Sequence, residues 1–195
     1  MKTLQKYFIA IVPEGEVQER ATELKLQLRE QFNLRYALRS PAHITLKMPF
    51  LWNEAKEDRL MARLEVFFSQ RPAFQLKVRK IGTFGDRVLF VKVEERKELM
   101  ALQQELVNWC RQELKLVEEL SDYAYRPHMT VAFKDVKKNR FSEYLDFVKA
   151  QGFSARLEVR QIALLKRKEG KWSVLKLFPL LGPSEVDDDQ SPSVD

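Results

Sequence analysis

The chain has 195 residues, of which 45% are hydrophobic and 32% charged, the composition of an ordinary soluble globular protein. It contains no run near the roughly 18 apolar residues that cross a membrane. The early apolar run from Tyr7 to Val12 is too short for a secretory signal and meets Glu14 and Glu16 at once. A single cysteine, Cys110, excludes a disulfide framework and is expected to be a buried structural thiol. We therefore expect a cytoplasmic protein.

The charge is distributed unevenly along the chain. Residues 183–195 carry five acidic side chains and no basic one, and this composition predicts an acidic disordered tail. Without these five acids, the 34 Lys and Arg stand against 23 Asp and Glu, so the remaining body has a net charge of about +11. A positive body attracts nucleic acid or other phosphorylated ligands.

The first half of the chain alternates strand and helix patterns. Apolar residues recur at helical spacing from Val17 to Phe32, and a Ser40-Pro41 break precedes the next strand. The predicted elements are a strand at Tyr7–Pro13, that helix, a strand at His43–Phe50, a helix at Glu54–Phe68 and a strand at Phe74–Ile81.

The second half repeats this order. Its predicted elements are a strand at Val88–Val93, a helix at Lys97–Leu114, a strand at His128–Phe133, a helix at Phe141–Ala150, one strand over Phe153–Leu165 and a final strand at Trp172–Phe178. A Glu169-Gly170 turn would pair the last two strands. The repeat predicts a single bilobal domain over residues 1–182, with lobes at about 1–85 and 86–182. Exchange of strands between the lobes is left open.

The only two histidines stand in matching tetrapeptides, HITL at residues 43–46 and HMTV at residues 128–131. In a strand, residues i and i+2 face the same side. His43 and Thr45 therefore share one face, as do His128 and Thr130, while the aliphatic residues between them point to the core. If the two lobes face each other, both imidazoles and both hydroxyls converge on one cleft.

Such a cleft suits attack at a phosphodiester. With an unperturbed pKa near 6.5, one imidazole can accept a proton while the other donates one. Threonine hydroxyls can donate hydrogen bonds to phosphate oxygens. A structural His-x-Thr pair and a metal site are the alternatives, but zinc needs three or four protein ligands and no cluster supplies them. We expect neither a metal nor a cofactor.

The phrases PAHITLKMPF and RPHMTVAF resemble the paired HxTx signatures of the two-histidine (2H) phosphoesterase superfamily, in the 2′-5′ RNA ligase-like branch. The resemblance implies an α+β bilobal fold, with two antiparallel sheets flanking a central cleft and helices outside. It also implies metal-independent hydrolysis of a 2′,3′-cyclic phosphate on RNA or a nucleotide. Carried over, His43 is the general acid, His128 is the base, and Thr45 and Thr130 hold phosphate oxygens. Ala42 departs from the proline of many relatives.

Five further residues are candidates for substrate binding. Lys47 and Lys134 would extend the two histidine faces, Arg126 would bind phosphate, and Tyr125 and Phe133 would stack on a base; solvated or packing roles are the alternatives. The leading hypothesis is a monomeric phosphodiesterase acting on a 2′,3′-cyclic phosphate or a 2′,5′-linkage. An RNA- or nucleotide-binding module without turnover is the alternative, and 2′-5′ RNA ligase activity is a weaker one.

Overall fold

The computed structural model describes residues 3–182. The strands are β1 Leu4–Ile11, β2 Ile44–Asn53, β3 Phe74–Phe84, β4 Val88–Val93, β5 His128–Phe133, β6 Ser154–Val159, β7 Gln161–Lys168 and β8 Lys171–Pro179. The α-helices are α1 Gly15–Phe32, α2 Glu57–Phe68, α3 Lys97–Leu114, α4 Leu120–Tyr123 and α5 Phe141–Ala150, and a 3-10 turn spans Tyr36–Arg39. The predicted acidic tail lies outside the described residues.

The long helices form where the apolar spacing predicts them. In α1, the side chains of Val17, Ala21, Leu24 and Leu28 are buried along one face. The helix ends at Asn33, whose left-handed φ of 61° lets its N–H bond the last carbonyls. Helix α3 likewise buries Leu99, Leu102 and Leu106 along one face, together with Cys110, the expected buried thiol. None of the described helices is long and apolar enough to cross a membrane.

The strands form one curled antiparallel sheet of order β6-β3-β4-β5-β2-β1-β7-β8. It consists of two four-stranded halves that meet at β5 and β2, where Ile44 pairs with Met129. The α+β class with antiparallel strands is confirmed, and the two expected sheets are joined at this one pair. Ile44 and Met129 are fully buried in a core that spans both halves.

The predicted single strand over Phe153–Leu165 is wrong, because the chain changes partner at Arg160. Before this residue β6 pairs with β3, and after it β7 pairs with β1. The carbonyl of Arg160 accepts a hydrogen bond from the N–H of Leu180, 2.8 Å away. Each half of the sheet is therefore built from both halves of the sequence: β3 joins β4 to β6, and β7 and β8 join β1 and β2.

The helices are exchanged in the same way. Helix α1, which follows β1, packs against β5 and β6, whereas α3, which follows β4, packs against β2. The opposite face of the β1–β7 half carries a small separate apolar cluster that contains Phe8, Ala10, Ala163 and Leu165. This uncovered face carries His43 and Thr45, and it forms one wall of the cleft.

Candidate active site

The junction of the two half-sheets brings the repeated phrases together. Because β2 and β5 are antiparallel and Ile44 pairs with Met129, His43 lies beside Thr130 and Thr45 lies beside His128. The buried pair points into the core, so its neighbours point to the opposite side. All four predicted side chains line the same cavity. The structure thus places each histidine next to the threonine of the other phrase.

Each imidazole packs against one or two phenylalanine rings of the same half-sheet. The His43 ring lies 4.8 Å from the Phe8 ring, measured between centroids. The His128 ring lies 5.1 Å from Phe90 and 4.9 Å from Phe84, the latter edge-on. Packing on one or two aromatic rings restricts the rotation of each imidazole.

The same hydrogen bond orients both rings. His43 Nδ1 is 2.8 Å from the carbonyl oxygen of Pro41, and His128 Nδ1 is 2.7 Å from that of Arg126. A carbonyl oxygen can only accept, so Nδ1 carries the proton and donates it. The lone pair of the neutral ring is therefore on Nε2. Both histidines are prepared in the same tautomer, with Nε2 available for proton transfer.

Helix α1 holds the segment that leads into His43. The Gln18 side chain bonds both backbone groups of Ala42, accepting from its N–H at 2.9 Å and donating to its carbonyl at 3.1 Å. Lys25 Nζ donates to the carbonyl of Ser40 at 3.2 Å. Proline at position 42 would lack the N–H that Gln18 binds. Ala42, where many relatives have proline, therefore provides the N–H that Gln18 binds.

The surroundings of both histidines favour the neutral form. The pKa of His43 is lowered to about 4, chiefly by burial; the hydrogen bond to Pro41 opposes this effect, and the charge of Lys25 and a proton on His128 add to it. Burial also lowers the pKa of His128, again against its backbone hydrogen bond to Arg126. Both rings are therefore neutral at pH 7 before a ligand binds, and only His43 is affected by a buried lysine.

Replacing Lys25 by Met is expected to raise the pKa of His43, because a positive charge that opposes its protonation is removed. Lys25 itself is charged at pH 7, since burial lowers its pKa only to about 8. A proton NMR titration of the two imidazoles measures the effect. The pKa of His128 should stay within error, and exposed Lys149→Met should move neither ring. An unchanged His43 titration in Lys25→Met would contradict this prediction.

The cavity between the half-sheets has a volume of about 800 Å³. The aromatic side chains that line it come from both halves of the sheet and from the connecting segments; they are Phe8, Tyr36, Phe84, Tyr125, Phe133 and Trp172. Its cations are Lys6, Arg39, Arg126, Lys134 and Arg167. A cleft of this size, with aromatic walls and positive charge beside two histidines, is suited to a phosphorylated aromatic ligand such as a nucleotide.

Comparison with known proteins identifies the family to which the chain belongs. The family model described as the 2′-5′ RNA ligase superfamily matches residues 13–171. The chain belongs to this superfamily. A Bacillus pumilus protein named "Putative phosphoesterase" is 28% identical over 178 residues, which cover 90% of this chain and 97% of that protein. A Bacillus mycoides protein of the same description is 30% identical, with coverage of 90% and 96%.

Solved structures show the same fold. TT0787 of Thermus thermophilus superposes with a TM-score of 0.63 at 20% identity, covering 91% of this chain and 98% of that one. E. coli LigT complexed with 3′-AMP superposes with a TM-score of 0.62 at 19% identity, covering 91% and 99%. The expected 2H phosphoesterase family and fold are thus confirmed.

Four of the five further candidates for substrate binding line the cavity. Arg126 and Lys134 are exposed at its wall, and Phe133 lies beside them. Tyr125 also contributes to the lining, but its ring packs against the core, and its buried hydroxyl has no partner among residues 3–182. Burial raises the pKa of this hydroxyl, which keeps it protonated.

The expected position of Lys47 is wrong. Thr45 pairs with Ala10, whereas Lys47 pairs with Ile9, because the register shifts between them. Adjacent residues of β1 face opposite sides, so Thr45 faces the cleft and Lys47 faces the core. The Lys47 side chain is 1% exposed and forms an ion pair with Asp122 at 2.6 Å.

Lys134 lines the cavity, but not as the expected continuation of the strand face that carries His128 and Thr130. Strand β5 is also irregular, since Phe90 pairs with Thr130 but Leu89 pairs with Ala132. Ala132 is consequently buried in the core, and Phe133 faces the cleft instead. Lys134 follows the strand in a left-handed conformation with φ of 66°, which turns its side chain back toward the cavity.

Several cavity residues had no signal in the sequence. The positions of Tyr36 and Arg39 depend on a 3-10 turn, and those of Arg167 and Trp172 on the pairing of β7 with β1. Phe8 was detectable in principle: it occupies the place in the first half that Phe90 occupies in the second, one strand before the histidine.

Gly82 makes room for the ring that supports His128. It pairs with Phe90 across β3 and β4. A Cβ atom at Gly82 would lie 2.4 Å and 2.6 Å from Cε2 and Cζ of Phe90, far inside van der Waals contact. Any side chain here must displace the Phe90 ring, which in turn touches His128.

Gly82→Ala is expected to displace the Phe90 ring and with it His128. If His128 is a catalytic group, kcat/KM for a phosphoester substrate should fall by about 10- to 100-fold, since small misplacements of such a group are costly. The imidazole Cε1–H resonance of His128 should move as the Phe90 ring shifts, with the His43 resonance as internal reference. Phe90→Leu in the Gly82→Ala background should restore part of the activity. Gly182→Ala, where a Cβ meets nothing within 4 Å, is the control. An unmoved resonance with full activity would refute the role of Gly82.

Proposed function

We propose that this chain is a metal-independent phosphodiesterase that hydrolyses a 2′,3′-cyclic phosphate, on a nucleotide or an RNA end, or a 2′,5′-linkage. The observation that carries the proposal is the pair of imidazoles on one cavity, each with Nδ1 bound to a carbonyl and Nε2 free. Two such rings beside two threonine hydroxyls are the groups that proton transfer around a phosphate requires.

In this mechanism one imidazole removes a proton from water at Nε2 as the water oxygen attacks phosphorus. The bond from phosphorus to the leaving ribose oxygen breaks, and the other imidazole donates its proton to that oxygen. Thr45 and Thr130 donate hydrogen bonds to the non-bridging oxygens, where negative charge grows in the transition state. The negative charge of the bound phosphate favours one protonated ring out of two that are neutral without ligand.

The charges around the two rings favour one allocation of roles. The family resemblance implies that His43 is the acid. However, burial opposes a proton on His43 more strongly than on His128, and the charge of Lys25 adds to this effect at His43. We therefore infer the reverse: His43 accepts the proton of the water, and His128 protonates the leaving oxygen.

Nucleotides are the favoured substrate class. The related fold of E. coli LigT has been solved with 3′-AMP, ATP and NADP+. The aromatic and cationic lining of this cavity offers the same kinds of contact to a base and a phosphate. The same lining also supports the second candidate, a nucleotide- or RNA-binding module that does not turn its ligand over.

A panel of 2′,3′-cyclic nucleotides, RNA with a cyclic-phosphate end and 2′,5′-oligoadenylate tests the proposal. We expect turnover of at least one, with a bell-shaped pH dependence from the coupled pair. Chelator should leave the rate unchanged, whereas a rate that collapses with chelator and returns with zinc would indicate a metal-bound hydroxide. Binding without turnover of any compound would favour the binding module.

A further inference from the structure

The cavity concentrates positive charge. Among residues 3–182, five cationic side chains line it, against the single carboxylate of Asp122, which is already paired with Lys47. Within residues 3–182, none of the five forms an ion pair, although many other lysines and arginines do. Unpaired cations of one sign in a cleft attract an anionic ligand.

Two of these cations contact Tyr36, and Arg167 lines the same cavity with its guanidinium over Trp172. Lys134 Nζ donates a hydrogen bond to the Tyr36 hydroxyl at 2.9 Å and lies 4.6 Å from the centre of its ring. The Arg39 guanidinium lies 4.6 Å from the same ring. The hydrogen bond from Lys134 lowers the pKa of the hydroxyl, and the charges of Lys134, Arg39 and Arg167 add to this effect. The phenol oxygen accepts from Lys134, so its own proton remains available to an acceptor.

The backbone around Tyr36 is held in place before any ligand binds. Oδ2 of Asp135 accepts hydrogen bonds from the N–H groups of Arg35 and Tyr36, at 2.6 Å and 2.7 Å. The Tyr36 ring also packs edge-on against Phe133, with centroids 4.9 Å apart. The carboxylate beside Lys134 in sequence is thus used to fix the turn, and the cations keep their charge for a ligand.

We propose that Tyr36, Arg39, Lys134 and Arg167 form a second anion site, which binds a phosphate group of the substrate other than the phosphate between the histidines. The inference rests on the proposed function for the identity of the first phosphate. Its ligand class is a nucleotide that carries two phosphate groups. A phosphate matches the site because it accepts several hydrogen bonds at once from lysine, guanidinium and phenol donors.

The two sites are separate places in one cleft. The Tyr36 ring packs on Phe133, whereas the two histidine rings pack on other phenylalanines, which are Phe8, Phe84 and Phe90. Two phosphates of one nucleotide or dinucleotide can occupy the two places at once. The second phosphate is either a terminal monoester or the next phosphodiester of an RNA chain, and the two sources differ in charge and length.

Calorimetric binding of stable ligands tests this site without any turnover. The probes are adenosine 2′-monophosphate, adenosine 2′,5′-bisphosphate and a dinucleotide with an internal phosphodiester and a 2′-phosphate end. For the wild type we expect one of the two longer probes to bind about 10-fold or more tightly than the monophosphate, from charge-assisted hydrogen bonds. In Lys134→Gln and Arg39→Gln this ratio should fall close to one, with the monophosphate affinity little changed.

The controls distinguish binding at this site from general electrostatic attraction of the anionic probes to the protein. Lys149→Gln removes the same charge from an exposed position outside the cavity and should keep the ratio. Tyr36→Phe should lose part of this ratio between the affinities for the longer probe and the monophosphate. Preference for the bisphosphate identifies a terminal phosphate, and preference for the dinucleotide alone identifies an RNA backbone. Equal affinities of all three probes for the wild type would overturn the site. Failure of the cyclic substrates to react would instead count against the proposed function.

Discussion

Replacing His43 or His128 by Ala is expected to lower kcat/KM for a cyclic-phosphate substrate by about 10²–10⁴-fold, the usual contribution of one proton-transfer group. The double variant should lose far less than the product of the two single losses, because groups that act as a unit are not additive. Thr45→Ala should be milder and should preserve the shape of the pH profile, since a hydroxyl does not titrate in this range. Initial rates against pH measure all three effects.

A substrate with an activated leaving group separates the two histidines. A p-nitrophenyl phosphodiester needs no acid, because its leaving phenolate is stable without a proton. With His43 as the base and His128 as the acid, His128→Ala should recover most of its activity on this substrate and His43→Ala should not. Recovery by His43→Ala instead would restore the allocation implied by the family. Unchanged thermal melting of both variants provides the control for folding.

Local patterns predicted most elements, because their causes are local. The apolar stripe of α1 and the alternation of β5 follow from neighbouring residues, and both appear where expected. That each histidine shares a face with the threonine of its own phrase was likewise predictable from the period of a strand. The change of strand partner at Arg160 was not, since no glycine or proline marks that point and the partners are distant in sequence.

The predicted direction of side chains was wrong where a strand is irregular. A single register shift reverses every side chain beyond it, and β2 contains two such shifts. Pro49, within β2, was the available warning, because proline interrupts regular pairing. Thr45 precedes the shifts and kept its expected face, whereas Lys47 follows one of them and lost it. Four catalytic candidates were therefore predictable, whereas Lys134 was the one member of the group around Tyr36 that the sequence predicted.

The Lys47–Asp122 pair leads to the largest expected change in stability. Both side chains are 1% exposed, and Nζ and Oδ2 are 2.6 Å apart. Asp122 also accepts from the N–H groups of Glu119 and Met48, and its own carbonyl accepts from Gln103. This carboxylate therefore anchors α4, and with it the segment that contributes Leu120, Ser121, Ala124 and Tyr125 to the cavity wall.

Asp122→Ala is expected to lower the free energy of unfolding by about 3–5 kcal/mol, because it leaves the Lys47 ammonium buried without its partner. Lys47→Met together with Asp122→Leu should cost much less, since two apolar side chains of similar size leave no buried charge. Urea denaturation measures both, and Arg160→Gln, at an exposed ion pair with Glu158, should stay within about 1 kcal/mol of the wild type. If the double variant is as unstable as Asp122→Ala, the anchoring hydrogen bonds of the carboxylate, rather than the stranded charge, determine the loss. In that case KM for the cyclic substrate should rise in both variants alike, because the same loosened segment forms the cavity wall.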